Sequence, residues 1–405
     1  IEVGGTVGDI ESQPFLEAIR QFRHEIGLQN SVLIHVTLVP YLKASGELKT
    51  KPTQQSVKAL QGMGITPDVI VCRTEVPLED GIESKIALFC NVPEDHVLQN
   101  LDVEYLYEAP LAMEKERLAH VVCECLNLPC PEPQLGDWKQ MVDALKNPTN
   151  EVTIALVGKY IQLHDAYLSV MEALKHGGIA NRTKVSIKWV DSEFLKPGSL
   201  DDTFAGVDGI IIPGGFGSRG TEGMILAANY ARENKIPFLG ICLGMQMAMV
   251  AFARNVLGYA DANSSELNPD TTHPVVDLMP DQNGVENLGG TLRLGSYPCV
   301  LDKKSKAYAL YGTDMIQERH RHRFEINNDY RDDFTSHGMM ISGQSPDGHI
   351  VEMIELPEHP FYVGIQAHPE FKSRPNHAHP LFRGFVKAAD EYAKLKLSRQ
   401  AQNQE

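Results

Sequence analysis

The sequence has no long apolar run and few basic residues. No window reaches the roughly 18 unbroken apolar residues that a membrane-spanning helix needs. Lys and Arg total 37 against 53 Asp and Glu, which gives the 405 residues a formal charge of −16. This charge argues against a broad surface that binds nucleic acid or an anionic membrane. Local groups must therefore hold any anionic ligand.

Cysteine is too sparse for a disulfide framework. The seven cysteines are odd in number and scattered along the chain, unlike those of a small secreted domain. We therefore expect a reducing, cytoplasmic compartment. The chain opens with Ile1 rather than Met, and nothing in its first residues has the pattern of a signal peptide. Because this opening reads like the middle of a domain, we expect an N-terminal truncation.

The first part of the chain has the pattern of a parallel α/β domain. Apolar, β-branched runs at 31–40 and 67–73 predict strands buried on both faces, and the segment 54–63 between them has helical spacing. Four prolines between residues 129 and 148 then mark a change in composition. We predict part of one domain over 1–127 and a linker over 128–150.

A second α/β pattern follows the linker. It is typical of a doubly wound domain, which we place over 151–395, before a polar tail at 396–405. Residues 260–290 are polar and rich in turn formers, and we interpret them as an excursion outside the core. The predicted strands are 152–158, 184–190, 207–215, 236–242, 351–356 and 361–368, with helices at about 165–176 and 221–234.

The clearest local signal is the segment Gly240-Ile241-Cys242-Leu243-Gly244, between an apolar strand and a helical segment. It has the form of a nucleophile elbow with Cys in place of Ser, in which glycines permit the strained turn. The N-terminus of the following helix would favour the thiolate. A lone cysteine is more often a buried structural residue, but the flanking glycines favour a catalytic role.

A base and its partner are available at the end of the last strong strand. His368-Pro369-Glu370 follows that strand, and residues i and i+2 of an extended chain point the same way. His368 can take the thiol proton while Glu370 orients the ring. Alone, such a segment would more often be a surface turn, but the cysteine elbow favours a catalytic triad.

The strand at 207–215 runs into Pro213-Gly214-Gly215-Phe216-Gly217. The backbone N–H groups of Gly215 and Leu243 can stabilise the oxyanion of an acyl transfer. Gly215, Gly217 and Gly220 also spell G-x-G-x-x-G, a dinucleotide-binding motif. This alternative is weaker, because the strand is not the first of its domain.

Together these segments resemble a class I glutamine amidotransferase, in which Cys, His and Glu hydrolyse glutamine to glutamate and ammonia. Further segments, covering essentially the whole chain, are similar in order to the CTP synthase family. The resemblance implies an α/β chain: a partial P-loop-like, parallel-sheet synthetase domain, then a flavodoxin-like class I glutamine amidotransferase domain. The segments are GGTVGDIES, SGELKTKPTQ, KIALFCNVP, VGKYIQLHDAYLSVMEALKHGG, GGFGSRGTEGM, NSSELNP and ERHRHRFEIN.

The resemblance also implies a reaction. The family is a carbon-nitrogen ligase of pyrimidine biosynthesis, in which ATP phosphorylates UTP and ammonia from glutamine displaces phosphate to give CTP. It implies Mg²⁺ as the metal, GTP as an allosteric activator, CTP as an inhibitory product and a cytoplasmic homotetramer.

In the amidotransferase domain, the resemblance makes Cys242 the nucleophile, His368 the base and Glu370 its orienting partner. A carboxylate at Glu266 suits the α-ammonium of glutamine, and a guanidinium at Arg323 suits its α-carboxylate. The full implied glutamine-binding set is Gly215, Leu243, Gly244, Met245, Gln246, Glu266 and Arg323. Arg219 and Gly220 fall in the stretch implied to sense GTP.

In the first domain, the resemblance assigns Glu2 to Mg²⁺, which carboxylates and phosphates hold. It assigns ATP contacts to Leu101, Asp102 and Val103. The implied UTP and CTP contacts are Asp9, Ile10, Glu11, Lys49, Thr50, Lys51, Pro52, Thr53, Gln54 and Lys85.

One family feature is missing, because no G-x-x-x-x-G-K-[ST] segment occurs. The resemblance places that loop, a catalytic lysine and a second metal-binding acid before Ile1. We therefore expect this chain to keep glutaminase chemistry and to lose ATP-driven amination.

Two alternatives remain open. A stand-alone glutamine hydrolase or γ-glutamyl peptidase would give no reason for KTKPTQ or GGTVGDIES. A non-enzymatic assembly or regulatory protein would give no reason for a complete triad.

Two clusters have simpler interpretations. Cys123, Cys125 and Cys130 lack a second ligand pair at zinc spacing, and we interpret them as thiols on a helix face. The basic run 319–323 lacks interleaved aromatics, and we interpret it as a strand whose alternation presents Arg323 to the active site.

Overall fold

The computed structural model describes residues 1–278 and 293–402. The chain divides into two compact units, Ile1–Val142 and Asp143–Glu405. The division falls in helix α6 (Gly136–Lys146), inside the segment predicted as a linker. The domain limits predicted from the sequence stay predictions.

The first unit is built on a three-stranded parallel sheet in the order β1-β4-β5, with a separate antiparallel pair β2-β3. Its strands are β1 (Ile34–Leu38), β2 (Tyr41–Leu42), β3 (Glu47–Leu48), β4 (Val69–Thr74) and β5 (Val97–Leu101). Its helices are α1 (Gln13–Ile26), α2 (Lys51–Gly62), α3 (Ile82–Cys90), α4 (Ala109–Lys115) and α5 (Leu118–Cys125), with the first part of α6.

The two predicted strands of this unit differ in burial. Residues 69–72 of β4 are buried on both faces, as the apolar run predicts. The same prediction was wrong for β1, in which Ile34, Val36 and Leu38 are 39%, 59% and 59% exposed. The reason is that no described element covers that face of β1, whereas β4 has a core cluster on each side.

The second unit is built on a nine-stranded sheet in the order β13-β12-β15-β16-β17-β9-β8-β6-β7. Its strands are β6 (Asn150–Gly158), β7 (Thr183–Asp191), β8 (Gly209–Ile212), β9 (Phe238–Ile241), β10 (Asn263–Ser264), β11 (Pro274–Leu278), β12 (Arg293–Leu301), β13 (Met315–His322), β14 (Phe324–Ile326), β15 (Met340–Gln344), β16 (Val351–Glu355) and β17 (Tyr362–Ile365). Its helices are α7 (Leu168–Ala180), α8 (Leu200–Phe204), α9 (Thr221–Glu233), α10 (Leu243–Phe252), α11 (Lys306–Tyr311), α12 (Arg331–Ser336) and α13 (Pro380–Gln402).

Within the nine-stranded sheet, five strands are parallel to one another and make its doubly wound part. Numbered along the chain, β6, β7, β8, β9 and β17 lie in the spatial order 2-1-3-4-5, which is the flavodoxin-like order. Strands β16, β15, β12 and β13 extend the sheet in antiparallel fashion beyond β17. The predicted flavodoxin-like α/β fold is confirmed.

Apolar strands let this sheet be covered on both faces. Helices α7 and α13 contribute to the core on one face, and α9 and α10 contribute to the core on the other. All four residues of β8 and of β9 are buried, because each strand lies inside the sheet between two layers of helices. This burial fixes the carboxyl ends of β8, β9 and β17 side by side.

The segment 260–290 is only partly the excursion that its polarity predicts. Ala262, Val275 and Val276 are fully buried and belong to the core around α10. The apolar run in β11 explains this, since it pairs with β10 and β14 in a small sheet. Residues 279–290 of the predicted excursion lie outside the described residues. Helix α13 extends through part of the predicted polar tail to Gln402.

The contact between α7 and α13 provides a test of the packing. An ideal Cβ on Gly177 would lie 2.7 Å from the backbone oxygen of Phe382. We expect Gly177→Ala to lower the free energy of unfolding by about 2 kcal/mol, because backbone must move to admit the methyl group. Gly198→Ala is the control, since that Cβ would meet nothing within 4 Å. Urea unfolding of both variants measures the difference, and equal midpoints would contradict this packing.

Candidate active site

Cys242 stands in a strained turn between β9 and α10. Its backbone has φ of 50° and ψ of −104°, a conformation that few non-glycine residues adopt. An ideal Cβ would lie 2.7 Å from the Gly244 backbone if built on Gly240, and 2.1 Å from the Ile212 oxygen if built on Gly244. Both glycines are therefore required by close backbone approach, which is the reason the elbow needs them.

His368 and Glu370 lie directly after β17. His368 Nδ1 is 2.8 Å from Glu370 Oε1, and Glu370 is buried. Burial disfavours the imidazolium, but interactions with Cys242 and with Glu370 outweigh burial and raise the pKa of His368 to about 10. His368 Nε2 is buried and makes no well-formed hydrogen bond to a described residue. Glu370 therefore fixes the orientation of the ring and leaves Nε2 available to Cys242.

The glycine loop after β8, residues 214–217, lies against His368 and Cys242. An ideal Cβ on Gly214 would lie 2.8 Å from His368 Cε1 and 3.5 Å from Cys242 Cβ. One on Gly215 would lie 3.5 Å from Leu243 Cδ2. The glycines therefore let the loop backbone approach the nucleophile closely, which suits an oxyanion hole better than a dinucleotide site.

Lys159 is a residue of this site that the sequence reasoning missed. It follows β6, is 3% exposed, and its Nζ donates to the backbone oxygens of Phe216 and Gly217 at 2.7 Å each. Burial, and then the charge of Arg219, lower the pKa of Lys159, whereas Glu266 opposes the shift. A lysine directly after an apolar strand, whose last five residues are buried, was the available signal, since parallel strands end at the site edge.

The predicted GTP-sensing stretch is bound to the same lysine. Arg219 Nη2 donates to the backbone oxygen of Lys159 at 2.8 Å, and Nη1 donates to Glu193 at 3.1 Å. Its guanidinium also lies 5.4 Å from the centre of the Tyr160 ring. Gly220, with φ of 71°, precedes α9. Arg219 thus links the surface to the loop beside the nucleophile.

Besides Gly215, the predicted glutamine-binding residues lie on three segments of the second unit. Residues 243–246 open α10 and are buried. Gln246 Nε2 donates to the backbone oxygen of Phe324 at 2.9 Å, which places Gln246 beside the segment that carries Arg323. Arg323 is half-buried, and its Nε has no hydrogen-bond partner among the described residues. Glu266 is exposed, and the structure connects it to the site through its charge interaction with Lys159.

The basic run alternates along β13, as predicted. Arg319 and Arg321 are exposed, whereas His320 and His322 are buried. Burial lowers the pKa of His320 to about 2 and that of His322 to about 3, so both are neutral near pH 7. Of these three histidines, His368 is the one whose pKa is raised, and it is the one suited to acid–base catalysis.

A buried ion pair lies beside these histidines. Arg293 Nη1 is 2.6 Å from Glu352 Oε1, and both residues are buried. Burial raises the pKa of Glu352 to about 7, although Arg293 opposes the shift. The sequence pattern did not indicate that these two residues are in contact, because Arg293 is on β12, Glu352 is on β16, and β15 lies between these strands in the sheet.

In the first unit, the predicted UTP and CTP segment opens α2. Thr53 and Gln54 are buried, and their side chains make internal hydrogen bonds to Leu38 and Thr50. Lys49 pairs with Glu47.

Lys51 of the same segment is exposed, and its Nζ lies 5.6 Å from the centre of the Phe89 ring on α3. Phe89 is one helical turn after Lys85. The structure therefore brings Lys51 and Lys85 to neighbouring helices. Thr50 is buried, and Pro52 is exposed.

The other predicted nucleotide residues lie at two further places in the unit. Asp9 accepts a hydrogen bond from the backbone of Thr6 at 2.8 Å, and it precedes the short helix Ile10–Ser12, which contains the exposed Ile10 and Glu11. Leu101 is the last residue of β5, and Asp102 and Val103 come directly after it. Asp102 Oδ1 forms an ion pair with Arg73 Nη2 at 2.7 Å.

The fold, with a cysteine elbow and a paired histidine and glutamate at its strand ends, is that of a class I glutamine amidotransferase. The family model for that class matches residues 162–388, and a model described as the CTP synthase N-terminus matches residues 1–128. The CTP synthase of Ruminiclostridium cellulolyticum is 60% identical over 391 residues, which are 96% of this chain and 73% of that protein. The CTP synthase of Clostridium beijerinckii is 58% identical over 98% of this chain and 74% of that protein. The chain belongs to the CTP synthase family.

A solved structure agrees with this assignment. The glutaminase domain of Trypanosoma brucei CTPS, with bound acivicin, has a TM-score of 0.56 and 39% identity, and the match covers 59% of this chain and 94% of that domain. The family expected from the sequence is confirmed, with its reaction, the ATP-dependent amination of UTP by ammonia from glutamine. The substrates of this family are UTP, ATP and glutamine, and the family is regulated by GTP. A stand-alone hydrolase is not favoured, since residues 1–128 match the synthetase model.

Within residues 1–278 and 293–402, no helix is both long enough and apolar enough to cross a membrane.

The raised pKa of His368 generates a prediction. In Glu370→Gln the negative partner of the ring is lost, so the pKa of His368 falls and the imidazolium loses its proton at lower pH. We expect the alkaline limb of glutamine hydrolysis to move down by about one to two pH units. Rates of glutamate release between pH 6 and 10.5 measure the shift. Glu358→Gln, at an exposed position, serves as the control. An unmoved limb in Glu370→Gln would show that Glu370 does not set the charge of His368.

Proposed function

We propose that the second unit hydrolyses glutamine with Cys242 as the nucleophile, His368 as the base and acid, and Glu370 as the orienting group. One observation carries this proposal: a cysteine in a strained elbow lies beside an imidazole whose Nδ1 is 2.8 Å from a buried carboxylate. Nucleophile, base and orienting group are the three parts that acyl transfer needs.

The proposed chemistry has two steps. The Cys242 thiolate attacks the side-chain amide carbon of glutamine, and His368 gives its Nε2 proton to the departing nitrogen, which leaves as ammonia. The product is a γ-glutamyl thioester on Cys242. His368 then takes a proton from water, the hydroxide attacks the thioester, and glutamate and the thiolate are released with the ring again protonated.

Backbone donors and charged groups would position the substrate in this scheme. The N–H groups of Gly215 and Leu243 would stabilise the tetrahedral oxyanion. Lys159 would keep the Gly215 N–H in place, because it binds the backbone oxygens of the next two residues, Phe216 and Gly217. Glu266 would bind the α-ammonium and Arg323 the α-carboxylate, with residues 243–246 closing the pocket. The unpartnered Nε of Arg323 supports its role.

We propose that the first unit binds the nucleotides of the family's reaction. Lys49, Lys51 and Lys85 would contact triphosphate oxygens, together with the N-terminus of α2. The short segments 9–11 and 50–54 would complete the UTP and CTP site, with CTP acting as an inhibitor. Residues 101–103 would contact ATP.

Glu2 is the proposed Mg²⁺ ligand. It is an exposed carboxylate, and the described residues include no group of three or more His, Cys, Asp or Glu side chains that could hold a metal. One carboxylate fits Mg²⁺ because this ion is bound largely by phosphates and water. When bound, the ion would neutralise phosphate charge.

The remaining proposals concern regulation and assembly. GTP would act through Arg219 and Gly220, because Arg219 contacts the backbone of Lys159, which holds the oxyanion loop. The family resemblance further supports a homotetramer in the cytoplasm.

The nucleophile assignment is tested by replacing single cysteines. We expect Cys242→Ala to lower glutamate release from glutamine by about 10³-fold or more, because the thioester cannot form. Cys130→Ala is the matched control, since Cys130 is a partly exposed free thiol far along the sequence from the elbow. Equal rates for Cys242→Ala and the control would disprove the proposed function.

A further inference from the structure

Gln366 lies beside the nucleophile and has no role in the scheme above. It follows β17 directly and is 0% exposed. Its amide Nε2 lies 3.5 Å from Cys242 Sγ, within hydrogen-bond range for sulfur. The neighbouring backbone fixes this distance, because Cys242 N donates to the Ile365 oxygen at 2.7 Å and Gln366 N donates to the Glu352 oxygen at 2.8 Å.

A chain of hydrogen bonds sets the direction of the Gln366 amide. The backbone oxygen of Phe324 can only accept, so Gln246 must turn its NH₂ group toward it, at 2.9 Å. The same Nε2 of Gln246 is 3.2 Å from Gln366 Oε1, which therefore accepts. The NH₂ group of Gln366 is left facing the sulfur. A single backbone carbonyl thus determines that a donor, and not an acceptor, meets Cys242.

The thiolate is the reactive form of a cysteine, and a neutral N–H donor at this place can hydrogen-bond to it. Such a donor stabilises a thiolate more than a thiol, since hydrogen bonds to ions are stronger than those between neutral groups. The titratable group at the sulfur is His368, which is paired with Glu370 after β17, whereas Lys159 lies against Gly215 of the glycine loop. His368 exchanges a proton with the sulfur during the reaction, whereas the amide of Gln366 cannot change its charge.

We propose that Gln366 is a fourth catalytic residue of glutamine hydrolysis, whose amide N–H donates to Cys242 Sγ and stabilises the thiolate in both steps. The amide acts first on the attacking thiolate and again when the thioester is cleaved and the thiolate leaves. This inference rests on the proposed glutaminase function. A merely structural glutamine would instead fill space and would not affect the reactivity of the sulfur.

The test measures the sulfur without glutamine. Iodoacetamide is added to the full 405-residue chain between pH 5.5 and 9.5, and alkylation of Cys242 is followed by mass spectrometry of its peptide, which separates it from the other six cysteines. We expect Gln366→Met, which keeps the volume and removes the donor, to react about tenfold more slowly than the unaltered chain on the acid limb of the profile. Its acid limb should move upward by about one pH unit and its rate should meet that of the unaltered chain at high pH.

Further variants separate a donor from a space-filling residue. Gln366→Glu places an acceptor at the sulfur, and we expect it to react more slowly than Gln366→Met. Gln246→Met leaves Gln366 in place but removes the group that orients its amide, so it should show a smaller shift in the same direction, which keeps the test available if substitutions at Gln366 unfold the chain. Gln317→Met, at an exposed position on β13, is the control for the loss of an amide.

Alkylation rates and pH profiles of Gln366→Met and Gln246→Met that match those of the control would overturn the proposal. Glutamate release by the same preparations is measured in parallel. If Gln366 variants shift the alkylation profile while the unaltered chain releases no glutamate, the donor role stands and the proposed function fails.

Discussion

The turn between β9 and α10 leaves no room for a side chain at Gly240 or at Gly244, two residues before and two residues after Cys242. Gly244 lies against the backbone oxygen of Ile212 at the end of β8, and Gly240 lies against Gly244 itself. This close packing forces Cys242 into its unusual conformation at the carboxyl end of β9. Since β8 and β17 are the two neighbours of β9, the segments that follow them must reach the same place. One delivers the glycine loop, and the other delivers Gln366, His368 and Glu370. The site is therefore a consequence of strand order.

Partners, rather than burial, decide which histidine carries charge here. His320, His322 and His368 are all largely withdrawn from water, and burial alone lowers the pKa of each. Only His368 faces a thiol and a carboxylate, so the net shift is upward. Lys159 follows the same principle, because two backbone oxygens accept hydrogen bonds from its ammonium and stabilise it in a buried position. A chain with a formal charge of −16 thus places a few local cations where a charged substrate is expected.

The sequence predicted those features that depend on neighbours along the chain. The parallel strands, the elbow glycines and the i, i+2 relation of His368 and Glu370 are local patterns, and the fold class follows from them. The sequence could not predict contacts between residues on different strands, such as that of Lys159 with the loop after β8 or that of Arg293 with Glu352. Gln366 stands two residues before His368, so its face could have been predicted, but its donor direction depends on the distant Phe324 oxygen. The exposed face of β1 and the burial of Val275 also depend on which other elements pack nearby.

The central claim is that glutamine is cleaved through a covalent bond to Cys242. The most direct test is to quench the chain in acid during turnover with glutamine and to analyse its cysteine peptides by mass spectrometry. The account predicts that the Cys242 peptide carries an added γ-glutamyl group, the mass of glutamine less that of ammonia, and that no other cysteine carries it. The same experiment is run on Glu370→Gln. The account is contradicted if glutamate accumulates while Cys242 stays unmodified in both chains, or if the glutamyl group is found on a different cysteine.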